Sequence, residues 1–219
     1  MPRLLFEKTG DAVWMSHLDL MRLFQRAVQR AGLTLTHTQG FNPRPSVSIA
    51  MPLSVGVESF CELLDFDLEG EKVECDEILT RLNRTLVRGL RVLDCYDTGK
   101  KIKELAYLQC SITMEYDAGV PKEAEAFISA LFTRENLIVV KKGKNGMSEQ
   151  DIIPMIRNIL VTKEDSHTVR IHARVCCQNP SLNPMQLVAA VERYLPECKP
   201  DHAVCRRSEL YDQKEQVFR

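Results

Sequence analysis

Apolar and polar residues alternate along the first part of the chain at two different spacings, which predicts strands separated by helices. Between Ser16 and Ala31 the apolar residues recur every three or four positions, as on one face of an α-helix. Ser16 is a good N-cap, Asp19 resembles a capping box, and Gly32 supplies a stop. This predicts an amphipathic helix with an apolar stripe formed by Leu20, Leu23, Phe24, Ala27, Val28 and Ala31.

The rest of the first half favours strands around one further helix. Alternation and short apolar runs predict the helix Asp76–Val87 and strands at Arg3–Lys8, Leu33–Thr38, Val47–Met51, Cys61–Leu68 and Leu90–Tyr96. The resulting order β-α-β-β-β-α-β is close to a ferredoxin-like sandwich with one extra strand. The segment DTGKKIKEL that follows is typical of a linker.

The second half repeats this rhythm more loosely. It predicts helices at Lys122–Thr133 and Pro184–Tyr194 and strands at Leu108–Tyr116, Leu137–Lys142 (ending in a KKGKNG turn), Val169–Cys177 and Arg206–Tyr211, with Asp151–Val161 open between strand and helix. We therefore expect an α+β protein made of two tandem ferredoxin-like (βαββαβ-type) sandwiches, with antiparallel sheets and helices on one face. The predicted domains are residues 1–98 and 104–211, followed by a mobile tail at 212–219.

Bulk composition narrows the class of protein. Of 219 residues, 44% are apolar and 27% charged, which is ordinary for a soluble globular chain. The sequence has no run of eighteen apolar residues and no apolar signal region near its N-terminus, so we expect a cytoplasmic protein without a membrane partner. Its eight cysteines form no C-x-x-C pair, which favours reduced, mostly buried thiols and predicts no metal or other cofactor.

The outer face of the first predicted helix is basic. Arg22, Arg26 and Arg30 recur every four residues opposite the apolar stripe. Such a row can follow a phosphate backbone, although exposed arginines on a helix also serve simply to keep a surface solvated. Because the net charge of the whole chain is only −1, this local placement is what indicates a nucleic-acid surface.

The segment TQGFNPRPS after this helix predicts a stiff loop. Gly40 permits unusual backbone angles, Pro43 and Pro45 fix φ, and Asn42 before a proline is pushed toward an extended shape. If Phe41 is exposed, it offers a stacking face for a base, with Arg44 available for phosphate. The alternative is that Phe41 folds back into the protein and the prolines only shape a tight hairpin. The candidate residues for binding RNA or a partner are therefore Ser16, His17, Arg22, Arg26, Arg30, Gly40, Phe41, Asn42 and Arg44.

Two histidines are candidates for chemistry. His17 lies at the start of the first helix, where an imidazole fits a general base, a phosphate contact or a purely structural role. His37 lies on the segment leading into the loop, and consecutive elements could bring the two rings together. Neither histidine belongs to a recognisable catalytic motif, so both are weak candidates for catalysis.

The runs SHLDLMRLFQRAVQRAG and QGFNPRPSVSIAMPLSVGVES resemble the radical-SAM-linked family of unknown function. LNRTLVRGLRVL and RRSELY are similar to it as well, so the resemblance covers most of the chain. Ser16, His17, Asp19 and the segment Gly40–Pro43 match the family pattern. The sequence departs from it at Arg44, where the family carries His, and at Ser46, where it carries Lys. Members of that family occur alone or fused behind a cobalamin-binding radical-SAM protein.

The resemblance implies a non-catalytic module that binds RNA or presents a substrate beside a radical-SAM enzyme, with RNA or tRNA modification as the setting. Two alternatives stay open. Tandem ferredoxin-like halves with a histidine near the first helix also look like the metal-independent endoribonucleases of CRISPR systems, with His17 and His37 as the bases. The third reading is a protein–protein scaffold whose loop docks onto a radical-SAM partner.

Overall fold

A computed structural model describes residues 2–143 and 146–219, so part of the predicted KKGKNG turn lies outside the described residues. The described chain is an α+β protein with ten strands and four α-helices. It divides into two compact units, the first comprising residues up to 102 together with Arg219, and the second Lys103–Phe218. Within the described residues, no helix is long and apolar enough to cross a membrane.

The first unit contains four paired strands and two α-helices. Its elements are β1 (Pro2–Lys8), a 3-10 helix (Gly10–Trp14), α1 (His17–Arg30), β2 (Val47–Ile49), β3 (Glu58–Phe66), α2 (Cys75–Asn83) and β4 (Leu90–Asp97). The strands pair antiparallel in the order β4-β1-β3-β2.

The apolar stripe of α1 lies in the core of this unit, as its spacing predicts. Leu20, Phe24, Ala27 and Val28 are buried, and the Phe24 ring meets the Phe6 ring of β1 edge-on at 4.7 Å between centroids. Burial of one full side chain of this kind contributes about 1.5–3 kcal/mol. The opposite face of α1 is therefore the one left to solvent.

The second unit repeats the strand arrangement. Its elements are β5 (Leu105–Glu115), α3 (Ala124–Leu131), β6 (Ile138–Gly143), β7 (Gly146–Asp151), β8 (Ile156–Lys163), β9 (Thr168–Cys176), α4 (Met185–Tyr194) and β10 (His202–Asp212). Four of these strands pair antiparallel in the order β10-β5-β9-β8, while β6 and β7 form a separate hairpin.

One predicted strand of the first unit is wrong, and one open segment of the second unit is assigned by the structure. Leu33–Thr38 is not a strand: its alternation is real, with Leu33 and Leu35 buried, but only single bridges form, from Leu35 to Leu68 and from His37 to Pro45. The ambiguous segment Asp151–Val161 leads through a short 3-10 helix into β8.

The tail after β10 makes defined contacts within its unit. Val217 bridges to Tyr211, and Phe218 is buried, with its N–H donating to the Leu210 carbonyl at 2.9 Å. The mobility of residues 212–219 stays a prediction, but Phe218 has a defined, buried place.

Candidate nucleic-acid interface

Helix α1 begins where its cap predicts. The backbone N–H of Asp19 donates to Ser16 Oγ at 3.2 Å, and Ser16 Oγ in turn donates to the Asp19 carboxylate at 2.7 Å. These contacts satisfy helix-end groups that would otherwise lack partners. They fix the first turn of α1 and with it the direction of the helix's outer face.

The three arginines of α1 lie on that outer face and are exposed. Arg22 Nη1 lies 3.6 Å from the Asp19 carboxylate, an exposed pair of the kind that contributes little. Arg30 Nη2 donates to the Thr85 carbonyl at 2.9 Å, which leaves its charge uncompensated. Arg26 has no ion pair among residues 2–143 and 146–219. The row therefore keeps most of its positive charge.

The loop after α1 is closed at its base by backbone hydrogen bonds. The Ser46 N–H donates to the Thr36 carbonyl and the Thr38 N–H to the Arg44 carbonyl, both at 2.8 Å. The Arg44 N–H adds a bond to Thr38 Oγ1 at 3.0 Å. We call residues 38–44 the tip loop. Gly40 within it has φ +137°, a region that L side chains rarely adopt.

Phe41 stands at the end of the tip loop with its ring fully exposed, at 108% of the reference area. The alternative in which it folds back into the protein is therefore wrong. Gly40, Asn42 and Arg44 are exposed beside it. An exposed phenylalanine has a cost in water, so its presence on a rigid loop indicates a surface that is covered when a partner binds.

A cleft of about 560 Å³ joins the loop base to α1. The helix contributes Arg22, Gln25, Arg26 and Gln29 to its wall. His37 and Pro45, the bridged pair at the base of the tip loop, contribute the other side. The structure thus brings two of the predicted arginines and one predicted histidine into one concave surface.

A second cleft, of about 620 Å³, adjoins the first because it shares Arg22 and Arg26. It also contains Arg30 and Trp14, the one tryptophan of the sequence, whose side chain is 71% exposed. Sequence reasoning missed Trp14, because an apolar run after a turn is typical of core. Asp11 and Asp19 line the same cleft.

The two histidines are placed differently. His37 is exposed, and its Nδ1 lies 4.0 Å from Glu69 Oε1. His17 is half-buried, lines neither of the two clefts, and its buried Nδ1 has no hydrogen-bond partner in the described part of the chain. The structure therefore does not assemble the pair around either cleft.

The cysteines are free thiols, with Cys75 and Cys176 half-buried and the other six buried. Burial raises the pKa of the Cys177 thiol to about 12, which keeps it protonated at neutral pH. No group of three or more His, Cys, Asp or Glu side chains suited to a metal ion occurs in the regions 2–143 and 146–219.

Fold and surface together define an α+β protein with a basic helix face, a rigid aromatic loop and two adjoining clefts. Residues 2–184 match the model of a family described as "Uncharacterized protein conserved in bacteria (DUF2344)". Since the match covers most of the sequence, the chain belongs to this family. No protein of curated function matches the sequence.

Solved structures share the fold at low sequence identity. One is described as "Crystal Structure of a Cbf5-Nop10-Gar1 Complex" and is 9% identical, with a TM-score of 0.54. The match covers 95% of this chain and 48% of the chain in that structure. Another is the "archaeal box H/ACA sRNP Nop10-Cbf5 complex", which is 9% identical with a TM-score of 0.50. This match covers 94% of this chain and 46% of the chain in that structure. The chain thus spans about half the length of these relatives, and the likeness shows the fold alone.

Proposed function

We propose that this protein is a non-catalytic RNA-binding module that holds a single-stranded segment of RNA across α1 and the tip loop. The observation that carries the proposal is the fully exposed Phe41 on a loop whose base, at His37 and Pro45, lines a cleft together with Arg22 and Arg26. Aromatic rings that stack on bases, next to cations that follow phosphates, are the standard means of binding single strands. One structure of similar fold is described as an archaeal box H/ACA sRNP Nop10-Cbf5 complex, which supports the same class of partner.

The predicted binding residues take distinct roles in this proposal. Phe41 stacks on a base, and Arg44 contacts a phosphate next to it. Arg22, Arg26 and Arg30 neutralise the backbone along the helix. Ser16 caps the first turn, and His17 contacts the RNA at the start of α1. Gly40 and Asn42 set the shape of the loop before RNA binds. The conformational entropy cost of ordering the loop is therefore not added to the cost of binding.

The test is binding of fluorescently labelled single-stranded RNA and tRNA, followed by anisotropy between about 50 and 200 mM salt. Changing both Arg22→Gln and Arg26→Gln lowers the magnitude of the log-affinity against log-salt slope by about 1.4. Phe41→Ala weakens binding about fivefold or more at every salt concentration.

The matched control is Arg84→Gln with Arg91→Gln, which removes two exposed arginines that line neither cleft. It leaves the slope close to that of the wild type. An equal loss in both double variants would mean that binding depends only on overall charge. Cleavage of the RNA by the wild type but not by His37→Ala would contradict the non-catalytic function and support the endoribonuclease alternative.

We further propose that the module works beside a radical-SAM protein in RNA or tRNA modification in the cytoplasm. This rests on the resemblance of the SHLDL helix and QGFNPRP loop to the radical-SAM-linked family. Because the sequence has no C-x-x-x-C-x-x-C motif, the cluster would belong to the partner. Co-purification with a radical-SAM protein encoded nearby tests it. Loss of the complex after nuclease treatment indicates RNA as the bridge, and persistence indicates the scaffold role.

The same strand order in both units supports a tandem ferredoxin-like arrangement, which we propose as the architecture of the module. The four strands that pair within each unit run last-first-third-second, counted along that unit. In the second unit the β6–β7 hairpin is then an insertion between the first helix and the second sheet strand. A crystal structure with α1 and α2 on opposite faces of the first sheet would contradict it.

A further inference from the structure

We propose that Trp14 and Asp11 form a subsite for one unpaired guanine of the bound RNA, flanked by the arginines of α1. This inference rests on the proposed function and adds a base preference to it. It starts from the second cleft, which the tip loop does not line. There a large aromatic side chain, a carboxylate and three guanidinium groups share one concave surface.

The backbone on both sides of Trp14 is held by a buried lysine. Lys8 is 1% exposed, and its Nζ donates to the carbonyl oxygens of Val13 at 3.2 Å and Met15 at 2.9 Å. Burial lowers the pKa of Lys8, and the Glu62 carboxylate opposes that shift. An ammonium group buried against two loop carbonyls fixes the path of the chain. It therefore fixes the direction in which the exposed Trp14 side chain projects.

Gly56 supports the indole ring from the side. Its N–H donates to the Val13 carbonyl at 2.9 Å, and a Cβ at this position would lie 3.5 Å from Trp14 Cζ3. The ring is thus bordered by backbone at one side and remains 71% exposed overall. A rigid, accessible indole is a stacking platform on which a nucleobase contributes several-fold in affinity.

Asp11 lies on the same side of the chain as Trp14. Both belong to the 3-10 helix Gly10–Trp14 and are three residues apart, and residues at this spacing eclipse each other about 6 Å apart along the axis. Asp11 has no hydrogen-bond or ion-pair partner in the part of the chain that the structure describes. Asp19, the other carboxylate of the cleft, is already engaged by Ser16 and Arg22.

Trp14 and Asp11 together select the base. A carboxylate only accepts hydrogen bonds, so it favours an edge with two adjacent donors. Guanine offers N1–H and the N2 amino group side by side on its Watson–Crick edge. Uracil flanks its single N–H with two carbonyl oxygens that a carboxylate repels. A purine also covers more of the indole face, so stacking and edge recognition favour the same base.

The charges around the cleft favour a nucleotide over an apolar peptide. Arg22, Arg26 and Arg30 all line it, and an apolar ligand would strip water from guanidinium groups without replacing the lost contacts. A phosphate on either side of the stacked base supplies those contacts. Because Arg22 and Arg26 also line the first cleft, one strand can follow both clefts.

The experiment uses the full chain and the RNAs UUUGUUU, UUUIUUU, UUUAUUU and UUUUUUU, where I is inosine, which lacks only the N2 amino group of guanosine. Trp14 is the only tryptophan, so quenching of its fluorescence reports this subsite directly. Anisotropy of end-labelled copies reports total binding. We expect quenching with UUUGUUU, and an affinity about fivefold or more above that for UUUIUUU.

Two variants assign the preference. Asp11→Asn keeps binding to UUUUUUU and removes the preference for guanine over inosine. Trp14→Ala lowers affinity for UUUGUUU about fivefold or more. Phe41→Ala, the control, weakens all four RNAs and keeps the guanine preference.

The outcomes separate this subsite from the proposed function. Salt-dependent anisotropy without Trp14 quenching would overturn the subsite while RNA binding stands. Quenching without a preference for guanine over inosine would overturn the role of Asp11. Absence of any anisotropy change would remove RNA binding and the subsite with it.

Discussion

Arg3 and Asp65 form a two-point ion pair across neighbouring strands of the first unit. Arg3 Nε lies 2.6 Å from Asp65 Oδ1, and Nη2 lies 3.0 Å from Oδ2. The two residues face each other in the register of β1 and β3, and Arg3 is 1% exposed. Arg3 also donates to the Lys100 carbonyl at 3.0 Å, which ties the segment after β4 to the sheet.

Removing the carboxylate from this pair should destabilise the protein strongly. Asp65→Ala removes the two-point carboxylate partner of a buried guanidinium, and breaking a buried ion pair in this way costs about 3–5 kcal/mol of unfolding free energy. Urea unfolding followed by circular dichroism measures it. The control is Lys72→Met, which removes the exposed ion pair of Lys72 with Asp97. It should shift the urea midpoint little, and equal shifts in both variants would contradict this interpretation.

The cap of α1 gives a second prediction. Ser16→Ala removes the oxygen that accepts from the Asp19 N–H and should lower stability by about 1 kcal/mol. Thermal unfolding measures the loss. Ser16→Asp supplies a replacement acceptor and should restore most of it. If Ser16→Ala and Ser16→Asp melt together, the side chain of Ser16 does not act as a cap.

The stiffness of the tip loop should appear in RNA affinity. Pro43 is exposed and its ring limits the conformations of the free loop. Pro43→Ala leaves Phe41 and the basic residues in place but adds conformational freedom worth about 0.4–1 kcal/mol. We expect affinity for single-stranded RNA to fall about two- to fivefold, with an unchanged salt slope. Pro52→Ala, an exposed proline outside the loop, should leave affinity as in the wild type.

Tyr116 should make stability depend on pH at the alkaline end. Its hydroxyl donates to the Cys198 carbonyl at 2.8 Å, and burial raises the pKa of Tyr116 to about 12. Since the folded pKa lies above the unfolded value near 10, the stabilisation is fully present below about pH 10 and is lost as pH rises toward 12.

The variant Tyr116→Phe tests this sign. At about pH 8 it should be less stable than the wild type by about 1 kcal/mol, the loss of one hydrogen bond. At about pH 11 the difference should shrink, because only the wild type has lost stability by ionisation in the unfolded state. Urea midpoints at the two pH values measure both. A difference that grows with pH would show the opposite direction of the pKa shift.

The sequence predicts α1 well because several local signals agree there. Its apolar spacing, its cap and its arginine row each depend only on residues a few positions apart. The outward placement of Arg22, Arg26 and Arg30 follows from the same geometry. Exposure of Phe41 could be named only as one of two alternatives, because it depends on how residues 36 and 46 close the loop.

Other features depend on contacts between distant residues. The alternation of Leu33 and Leu35 correctly predicts that both side chains are buried. It does not reveal that the segment forms isolated bridges instead of a paired strand. The five residues of the 3-10 helix are too few to show a period, so Asp11 and Trp14 gave no signal of a shared face. Burial of Lys8 depends on carbonyls that become acceptors only in the folded loop.

The closed base of the tip loop makes the frame of the loop independent of the side chains that the loop exposes. The bonds from Ser46 to Thr36 and from Thr38 to Arg44 join backbone atoms, so they do not use the side chains of Gln39, Phe41 or Asn42. The side chains at positions 39, 41 and 42 can therefore be exchanged while Gly40 and Pro43 keep the shape of the loop. An engineered exchange of these exposed side chains should therefore change which ligand the tip loop binds while the supporting fold stays the same.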